Sequence, residues 1–497
     1  MKLGIDLGTT NTVACRLNDG FDIEFVTFRG KDILPSAYFF DGKREKVGQF
    51  ALQNMTLQPE NVVTSSKRDL GSSVTYTLGG KSFTPQDIAC KILQEVNRRA
   101  RSQFKLADDE PIEACITHPA YFRQNQVDLT KKAAEDAGFT DVRMIPEPVA
   151  AAKTYIAMEK TTSLFVFDLG GGTFDTTILR LQPRSKGYKL ESIEGDTRLG
   201  GDDFDDVIYS RIHKVLRTEY GVNVKPDTEF DEQTGKQVIA RLRRLSTEIK
   251  VRLSDEEEYN SPIMNICKDD GELISIDEFS ITQAEFNTLC GELYDKIRET
   301  IRATLDAKNL TVADIDKVLL VGGSSFIPHI RQLVAEELKE PEAIFNLSTI
   351  VAQGAALELY QGEGEITEEV PSITYTLPHS LGIELYGRRF QAILSKGDEY
   401  PTAGKKIFTT VEDNQTTVEL TILEGEEKNL GDDRKGYVHH NHYGSYNLHG
   451  IQKAKKKVPQ IEVEFSIDAN RNLTLTAVDL VTQVSVSGTV EITGGHL

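Results

Sequence analysis

Two short stretches of this chain set an aspartate beside a glycine- and threonine-rich turn. One is Ile5-Asp6-Leu7-Gly8-Thr9-Thr10-Asn11-Thr12, and the other, far downstream, is Phe167-Asp168-Leu169-Gly170-Gly171-Gly172-Thr173-Phe174-Asp175. Glycine lets backbone N–H groups approach phosphate oxygens closely, and threonine hydroxyls add further donors. A carboxylate next to such a turn is too anionic to touch phosphate, but it can orient magnesium-bound waters, because magnesium keeps much of its hydration shell. Asp6 and Asp168 suit that work. A single turn of this kind reads more simply as a tight β-hairpin. The second copy, and a third glycine turn at Val321-Gly322-Gly323-Ser324-Ser325, make a nucleotide site the better reading.

The elements that must hold these turns follow from periodicity. Each of the first two turns lies between apolar runs that read as strands, Val13 to Leu17 and Thr176 to Leu181 following them, so a strand-turn-strand unit occurs twice. This predicts two similar lobes with a cleft between them. Ile88, Ile92, Leu93, Val96, Ala100 and Phe104 recur at helical spacing, as do Phe286, Leu289, Leu293, Ile297, Ile301 and Leu305. Buried strands at Ala114 to Thr117 and Val318 to Val321 end in polar or glycine turns, where ligands of open α/β sheets collect. After residue 362 the sequence turns acidic and then changes period. Val418, Leu420 and Ile422, then Ile461, Val463, Phe465 and Ile467, then Leu473 and Leu475, then Val484 and Val486 alternate with polar residues. That predicts an antiparallel β-sandwich.

Length and composition set the outer limits. A chain of 497 residues calls for more than one domain, and 39% hydrophobic with 27% charged content is that of a globular protein. No run reaches the roughly 18 apolar residues of a membrane span, so no membrane association is expected. A net charge of −20 argues against general nucleic-acid binding. Asp6 interrupts the apolar stretch that a secretory signal would need, and the five cysteines are scattered without a CxxC pair, which fits a reducing cytoplasm. His439-His440-Asn441-His442 reads as an exposed polar loop rather than a zinc site.

Beyond the two turns, further blocks fall in a telling order: Ser66-Lys67-Arg68, His118-Pro119-Ala120-Tyr121-Phe122, Ile145-Pro146-Glu147-Pro148-Val149-Ala150-Ala151-Ala152, and Asp196-Thr197-Arg198-Leu199-Gly200-Gly201-Asp202-Asp203-Phe204-Asp205. Together they resemble the 70-kDa heat-shock (DnaK-type) chaperones over nearly the whole chain. The resemblance implies a two-lobed actin-like (ribonuclease H-like) ATPase domain over residues 1–361, with the second lobe from about 163. It also implies an acidic linker over 362–377 and a β-sandwich peptide-binding domain over 378–497. By the same resemblance Lys67 would hold the γ-phosphate and attacking water, and Glu147, Thr173 and Asp175 would complete the catalytic set, Asp175 orienting the water or a potassium ion. Gly8, Thr9, Thr10, Asn11, Gly170, Gly171, Gly172 and Gly201 would bind phosphate, while Asp6 and Asp168, with Glu147, would order magnesium-bound waters. ATP or ADP, magnesium and potassium are the implied ligands, and the reaction is phosphoryl transfer to water.

The adenosine side is less regular. Glu248, Lys250, Val251, Ser254, Gly322, Gly323, Ser324 and Phe326 are its candidates, with Glu248 displaced by one position from the family pattern and Phe326 standing where arginine is usual. Asn346-Leu347-Ser348 departs from the family's N-P-D. In the sandwich, Ile383, Tyr386, Phe408, Val411, Val418 and Leu420 fall where the family grips extended apolar peptides, though each reads equally as sandwich core. The resemblance does not extend to a helical lid, which is either naturally absent or lost by truncation. Pro371 and Ser372 interrupt the linker's apolar run, and Val127 replaces a relay arginine, so weak communication between the halves is expected. Unfolded polypeptides are the implied clients. A J-domain co-chaperone, near Arg143, and a nucleotide-exchange factor are the implied partners. The competing readings are another actin-fold phosphotransferase or polymerising ATPase, and a nucleotide-regulated peptide-binding module with little hydrolysis.

Overall fold

Apolar runs on either side of a short polar turn leave little choice but a hairpin, and two such hairpins organise the larger part of the molecule. The computed structural model describes residues 1–158, 161–182, 187–223, 232–269, 272–342, 349–360, 373–425, 440–468 and 473–489. The chain falls into two units. The first comprises Met1–Tyr121, Thr130–Leu181 and Ser192–Pro371; the second comprises Phe122–Leu129, Gln182–Glu191 and Ser372–Leu497.

In the first unit, β1 (Lys2–Leu7) turns back as β2 (Asn11–Leu17), with β3 (Ile23–Phe25) beyond it, while β4 (Glu113–His118) and β5 (Thr140–Pro146) lie on the other side of β1 in parallel. The second sheet repeats the plan. β6 (Ser163–Leu169) turns back as β7 (Phe174–Gln182), pairing Asp168 with Asp175, and on its other side Asp168 pairs in parallel with Val321 at the end of β9 (Lys317–Val321). Residues 192–196 of β8 (Gly187–Asp196) lie beside β7. All three glycine turns therefore leave the carboxyl ends of their strands, and the chain reversals set them next to one another.

Helices cover the sheets for reasons visible in their sequences. α1 (Pro85–Phe104) starts with Pro85 at its first position and a reciprocal cap between Thr84 and Asp87, and it buries Ile88, Ile92, Leu93, Val96 and Ala100. α2 (Glu147–Met158) follows the first sheet, and α3 (Gly201–Glu219) and α4 (Glu232–Arg252) pack on each other. The periodic run from Phe286 to Leu305, expected as one helix, forms two: α5 (Gln283–Leu289) and α6 (Gly291–Asp306) meet at Cys290, whose ψ of 6° breaks the helical path, and Leu289 is left exposed. α7 (Ile350–Glu358) lies against both β1 and α2. The approach is so close that a β-carbon at Gly354 would sit 1.7 Å from the Ala150 carbonyl oxygen. Gly354→Ala is expected to force the helices apart at a cost of about 1–3 kcal/mol, read as a lower Tm of the first unfolding transition.

In the second unit, β10 (Ile373–Thr376) pairs in parallel with the start of β8 through Tyr188 and Lys189. Two antiparallel sheets follow. One has the order β12 (Arg389–Leu394), β11 (Ser380–Leu385), β14 (Thr417–Gly425), β15 (His440–His449); the other has β13 (Thr402–Phe408), β16 (Ile461–Ile467), β17 (Leu473–Asp479), β18 (Ser485–Thr489). Leu381, Ile383, Leu420 and Ile422 from one sheet and Ile461, Val463, Phe465 and Ile467 from the other share one apolar core. This is the sandwich that the period-two pattern anticipated. Within this unit the Gln124 N–H donates to the buried carboxylate of Glu424, which also accepts from the Tyr443 hydroxyl.

The histidine stretch expected as a loop instead opens β15, because His440 and His442 take up register with Gly425 and Leu423. His439, the linker up to residue 372, Asn346-Leu347-Ser348 and residues 490–497 lie outside the described residues. Among the described residues no helix is long and apolar enough to cross a membrane.

Candidate functional site

The two hairpin turns touch. A β-carbon on Gly171 would fall 1.8 Å from Thr10 Oγ1, and one on Gly172 would fall 2.6 Å from Thr9 Cγ2, so the threonines of the first turn occupy the space that the glycines of the second leave open. The second turn is also clasped from its far side. The Gly201 and Asp202 N–H groups, at the start of α3, donate to the carbonyls of Gly170 and Gly171 at 3.0 and 2.7 Å, and Ser324 Oγ donates to Gly170 O at 2.8 Å. Three segments distant in sequence thus meet at the second turn, whose carbonyls take up the first N–H groups of α3 and the Ser324 hydroxyl.

Beneath the turns sits a cluster of buried charge. Lys67 Nζ donates to Glu147 Oε1 at 2.6 Å and to the Leu7 carbonyl at 2.5 Å, and both side chains are almost wholly buried. Asp6 accepts from Thr117 Oγ1 at 2.9 Å, and Asp175 accepts from the Ala120 and Tyr121 N–H groups at 3.2 and 3.3 Å. Four carboxylates, Asp6, Glu147, Asp168 and Asp175, therefore share one lysine. Burial, reinforced by Glu147, raises Asp6 to about 7 and Asp175 to about 8, and burial with the neighbouring carboxylates raises Asp168 well above the usual range.

The donor set fits a hydrated magnesium ion. Asp168 is buried yet accepts no hydrogen bond among the described residues, and such a carboxylate needs a cation or a cation's water to offset its desolvation. Among the described residues no three His, Cys, Asp or Glu side chains converge closely enough to ligate a metal directly. The residues that would hold such an ion through its waters are Asp6, Asp168 and Glu147.

On the adenosine side the candidates separate. Lys250 and Ser254 line a cavity of only about 10 Å³, too small for a nucleoside as it stands, with Leu253, Gln283, Phe286, Asn287, Ile327, Pro328 and His329. Lys250 Nζ is fixed by the Gly201 carbonyl at 2.7 Å and by Asp205 at 2.8 Å. Glu248 does not reach this cavity: helical rotation turns it outward, where it pairs with Arg244 at 3.0 Å, and Val251 is exposed as well. Thr247, one residue earlier, bonds Asp205 instead. Gly322 adopts a left-handed φ of 83°, and its neighbours Gly323 and Ser324 continue the turn, while Phe326 stands with its ring exposed. A β-carbon on Gly322 would also meet the Leu169 carbonyl at 2.3 Å, so this position excludes any larger residue.

Sequence reasoning passed over several participants. Ser36 bonds the Gly8 carbonyl at 2.7 Å and braces the first turn, but a lone serine in a loop carries no signal. Arg68 reaches Asp203 at 3.1 Å and Asp202 at 3.6 Å, its side chain lying across Gly172. It could have been found, since it adjoins Lys67 and the two aspartates follow Gly201. Arg68→Ala is expected to loosen α3 from the turn and to speed nucleotide release by about three- to tenfold, measured by chase of a fluorescent nucleotide.

In the second unit, Ile383 and Leu420 are core residues with about no exposed surface, and Phe408 and Val418 pack on the edge of that core. Tyr386 and Val411, at 78% and 45% exposure, stand in solvent. Of the six, these two present the most apolar surface outward.

The sequence model of the Hsp70 protein family matches residues 2–496. The chain belongs to the Hsp70 family. Hsp70 proteins are ATP-dependent chaperones whose actin-like ATPase domain precedes a β-sandwich and which bind ATP or ADP with magnesium. The mixed α/β first unit and the antiparallel sandwich of the second agree with that architecture. Unfolded polypeptides are the clients of the family, and co-chaperones its partners.

Proposed function

We propose that this Hsp70 protein hydrolyses ATP at the buried Lys67–Glu147 pair and binds extended apolar peptide segments through its β-sandwich. Residues 1–361 form the nucleotide domain, its second lobe beginning near 163; residues 362–377 link it to the peptide-binding domain at 378–497. The observation that carries the reading is the meeting of both glycine turns over one lysine and four buried carboxylates. Phosphates lie along the backbone of the Gly8 to Asn11 and Gly170 to Gly172 turns, beside Gly201, whose own N–H is bonded to Gly170 O, with Thr9, Thr10 and Thr173 adding hydroxyls. Lys67, locked by Leu7 and Glu147, meets the γ-phosphate as a fixed positive charge, and Asp175 orients the attacking water. Magnesium, when bound, supplies charge neutralisation on the phosphates. Lys250, Ser254, Gly322, Gly323 and Ser324 border the nucleoside, and Phe326 offers an apolar ring in place of a cation.

For clients, Tyr386 and Val411 frame the peptide, with Phe408 and Val418 beneath them. A J-domain protein and a nucleotide-exchange factor assist in the cytoplasm, and potassium supports turnover. The test is single-turnover hydrolysis with magnesium, in potassium and in sodium, with and without an extended apolar peptide. Slow conversion of ATP to ADP that is faster in potassium supports the reading. Tight ATP binding with no ADP formed moves it to a nucleotide-regulated peptide-binding module.

A further inference from the structure

In this acidic chain, one corner of the sandwich is basic. The loop before β16 carries Lys453, Lys455, Lys456 and Lys457, all exposed, followed by Val458 at 60% exposure. It is built onto the turn that follows β13: the Asn414 N–H donates to the Ala454 carbonyl at 2.7 Å, the Lys457 N–H to the Thr410 carbonyl at 3.1 Å, and the Lys456 N–H to Asp413 Oδ1 at 2.9 Å. That turn bears Val411, and the strand leading into it bears Ile407, 58% exposed. Glu412 and Asp413 are the turn's only carboxylates, fewer than the lysines that face them. None of the four ammonium groups forms an ion pair among the described residues, whereas Lys405 on β13 is paired with Glu462 at 3.0 Å.

Like charges this dense repel one another, and surfaces ordinarily intersperse the two signs. Here the excess stands beside exposed apolar side chains, in a protein whose net charge is −20 and whose field elsewhere repels anions. An extended chain laid over Val411 would run its flanking residues past the lysines. We infer that this corner selects apolar segments flanked by aspartate or glutamate, the lysines reading the flank while the apolar residues hold the centre. The inference rests on the peptide-binding reading proposed above.

The test uses three labelled peptides with one apolar core, flanked by acidic, by neutral polar or by basic residues, titrated with the full chain and followed by anisotropy at low salt. The acidic-flanked peptide is expected to bind about five- to tenfold tighter than the basic-flanked one, with the ratio shrinking as the ionic strength rises to about 0.5 M. Replacing Lys455, Lys456 and Lys457 together with glutamine should bring the ratio near one, and replacing them with glutamate should invert it. Ratios are compared only among variants with the thermal melt of the parent. Equal binding of acidic and basic flanks, or a preference that survives the glutamate variant, overturns the inference while leaving peptide binding intact. Failure of all three peptides to bind overturns the peptide-binding reading and the inference with it. A loop that engages anionic vesicles or single-stranded RNA but shows no flank preference also overturns it.

Discussion

Lys67→Ala is expected to lower the single-turnover rate of ATP hydrolysis by about a thousandfold, with nucleotide affinity changed far less. The asymmetry follows from where the lysine sits. Its ammonium is buried, and two of its donors are committed to Leu7 O and Glu147 Oε1, so its position is set before any substrate arrives. A charge fixed in advance in a water-poor site acts most strongly on the oxygens that gain charge in the transition state. On the proposed reading, ground-state affinity rests on the backbone and hydroxyls of the glycine turns, which the substitution leaves in place. Removing the lysine also strands Glu147 among three other carboxylates, so magnesium should become more necessary for folding. Lys67→Arg is the sharper control: its planar guanidinium cannot replace a compact ammonium between a carbonyl and a carboxylate, and little activity should return. Rapid-quench measurement of ADP formation with enzyme in excess reads the rate, and isothermal titration with ADP reads affinity. A variant that hydrolyses within tenfold of the parent rate would remove Lys67 from the chemistry.

Most of the architecture was legible because the residues that carry it announce themselves locally. The hairpins at Asp6 and Asp168 are written in a few adjacent residues each, and strand pairing then follows from the apolar runs that flank them. The sandwich was legible for the same reason: Ile461, Val463, Phe465 and Ile467 alternate, and all four are buried. The helix break at Cys290 was not legible, because the apolar period continues across it and only the local ψ departs. The site divides in the same way. Its phosphate side is made of turns, whose chemistry is local. The small cavity beside Lys250 and Ser254 is assembled from α4, α5 and the segment after Phe326, and Gln283, Phe286, Ile327 and Pro328 join it only because the fold brings them there. Glu248 shows the limit of reasoning by register: one residue along a helix is a rotation of about 100°, enough to send a side chain into solvent. The sandwich candidates show another, since Ile383 and Val411 are both β-branched apolar residues in sequence and only the packing decides that the first is buried and the second exposed.

The carboxylate cluster also dictates how the stability of the first unit should vary with pH. Asp6 and Asp175 are raised to about 7 and about 8, whereas in the unfolded chain each ionises near 4. Between those limits the folded state holds protons that the unfolded state has released. Stability from these groups is therefore fully present below about pH 4 and is lost as pH rises through 7 to 8. In magnesium-free, nucleotide-free protein, the Tm of the first transition should fall by several degrees between pH 5.5 and 8.5. Each carboxyl contributes a slope of up to about 1.4 kcal/mol per pH unit, an upper limit because water entering an empty site relieves part of the burial. Asp175→Asn removes one of the two titrations but keeps a single acceptor oxygen, where the parent carboxylate offers one oxygen to the Ala120 N–H and the other to the Tyr121 N–H. It should lower the melt at pH 5.5, where a hydrogen bond is lost, and flatten the profile towards pH 8.5. Saturating magnesium and ADP should flatten the parent's profile as well, since the ion favours the ionised carboxylates and reverses the cost of burying them. Differential scanning fluorimetry across this range, with and without the ligands, measures all three curves. A parent Tm that holds level or climbs between pH 5.5 and 8.5 without magnesium would mean that the buried carboxylates are ionised and balanced by the protein alone, leaving the cluster no electrostatic need for a cation.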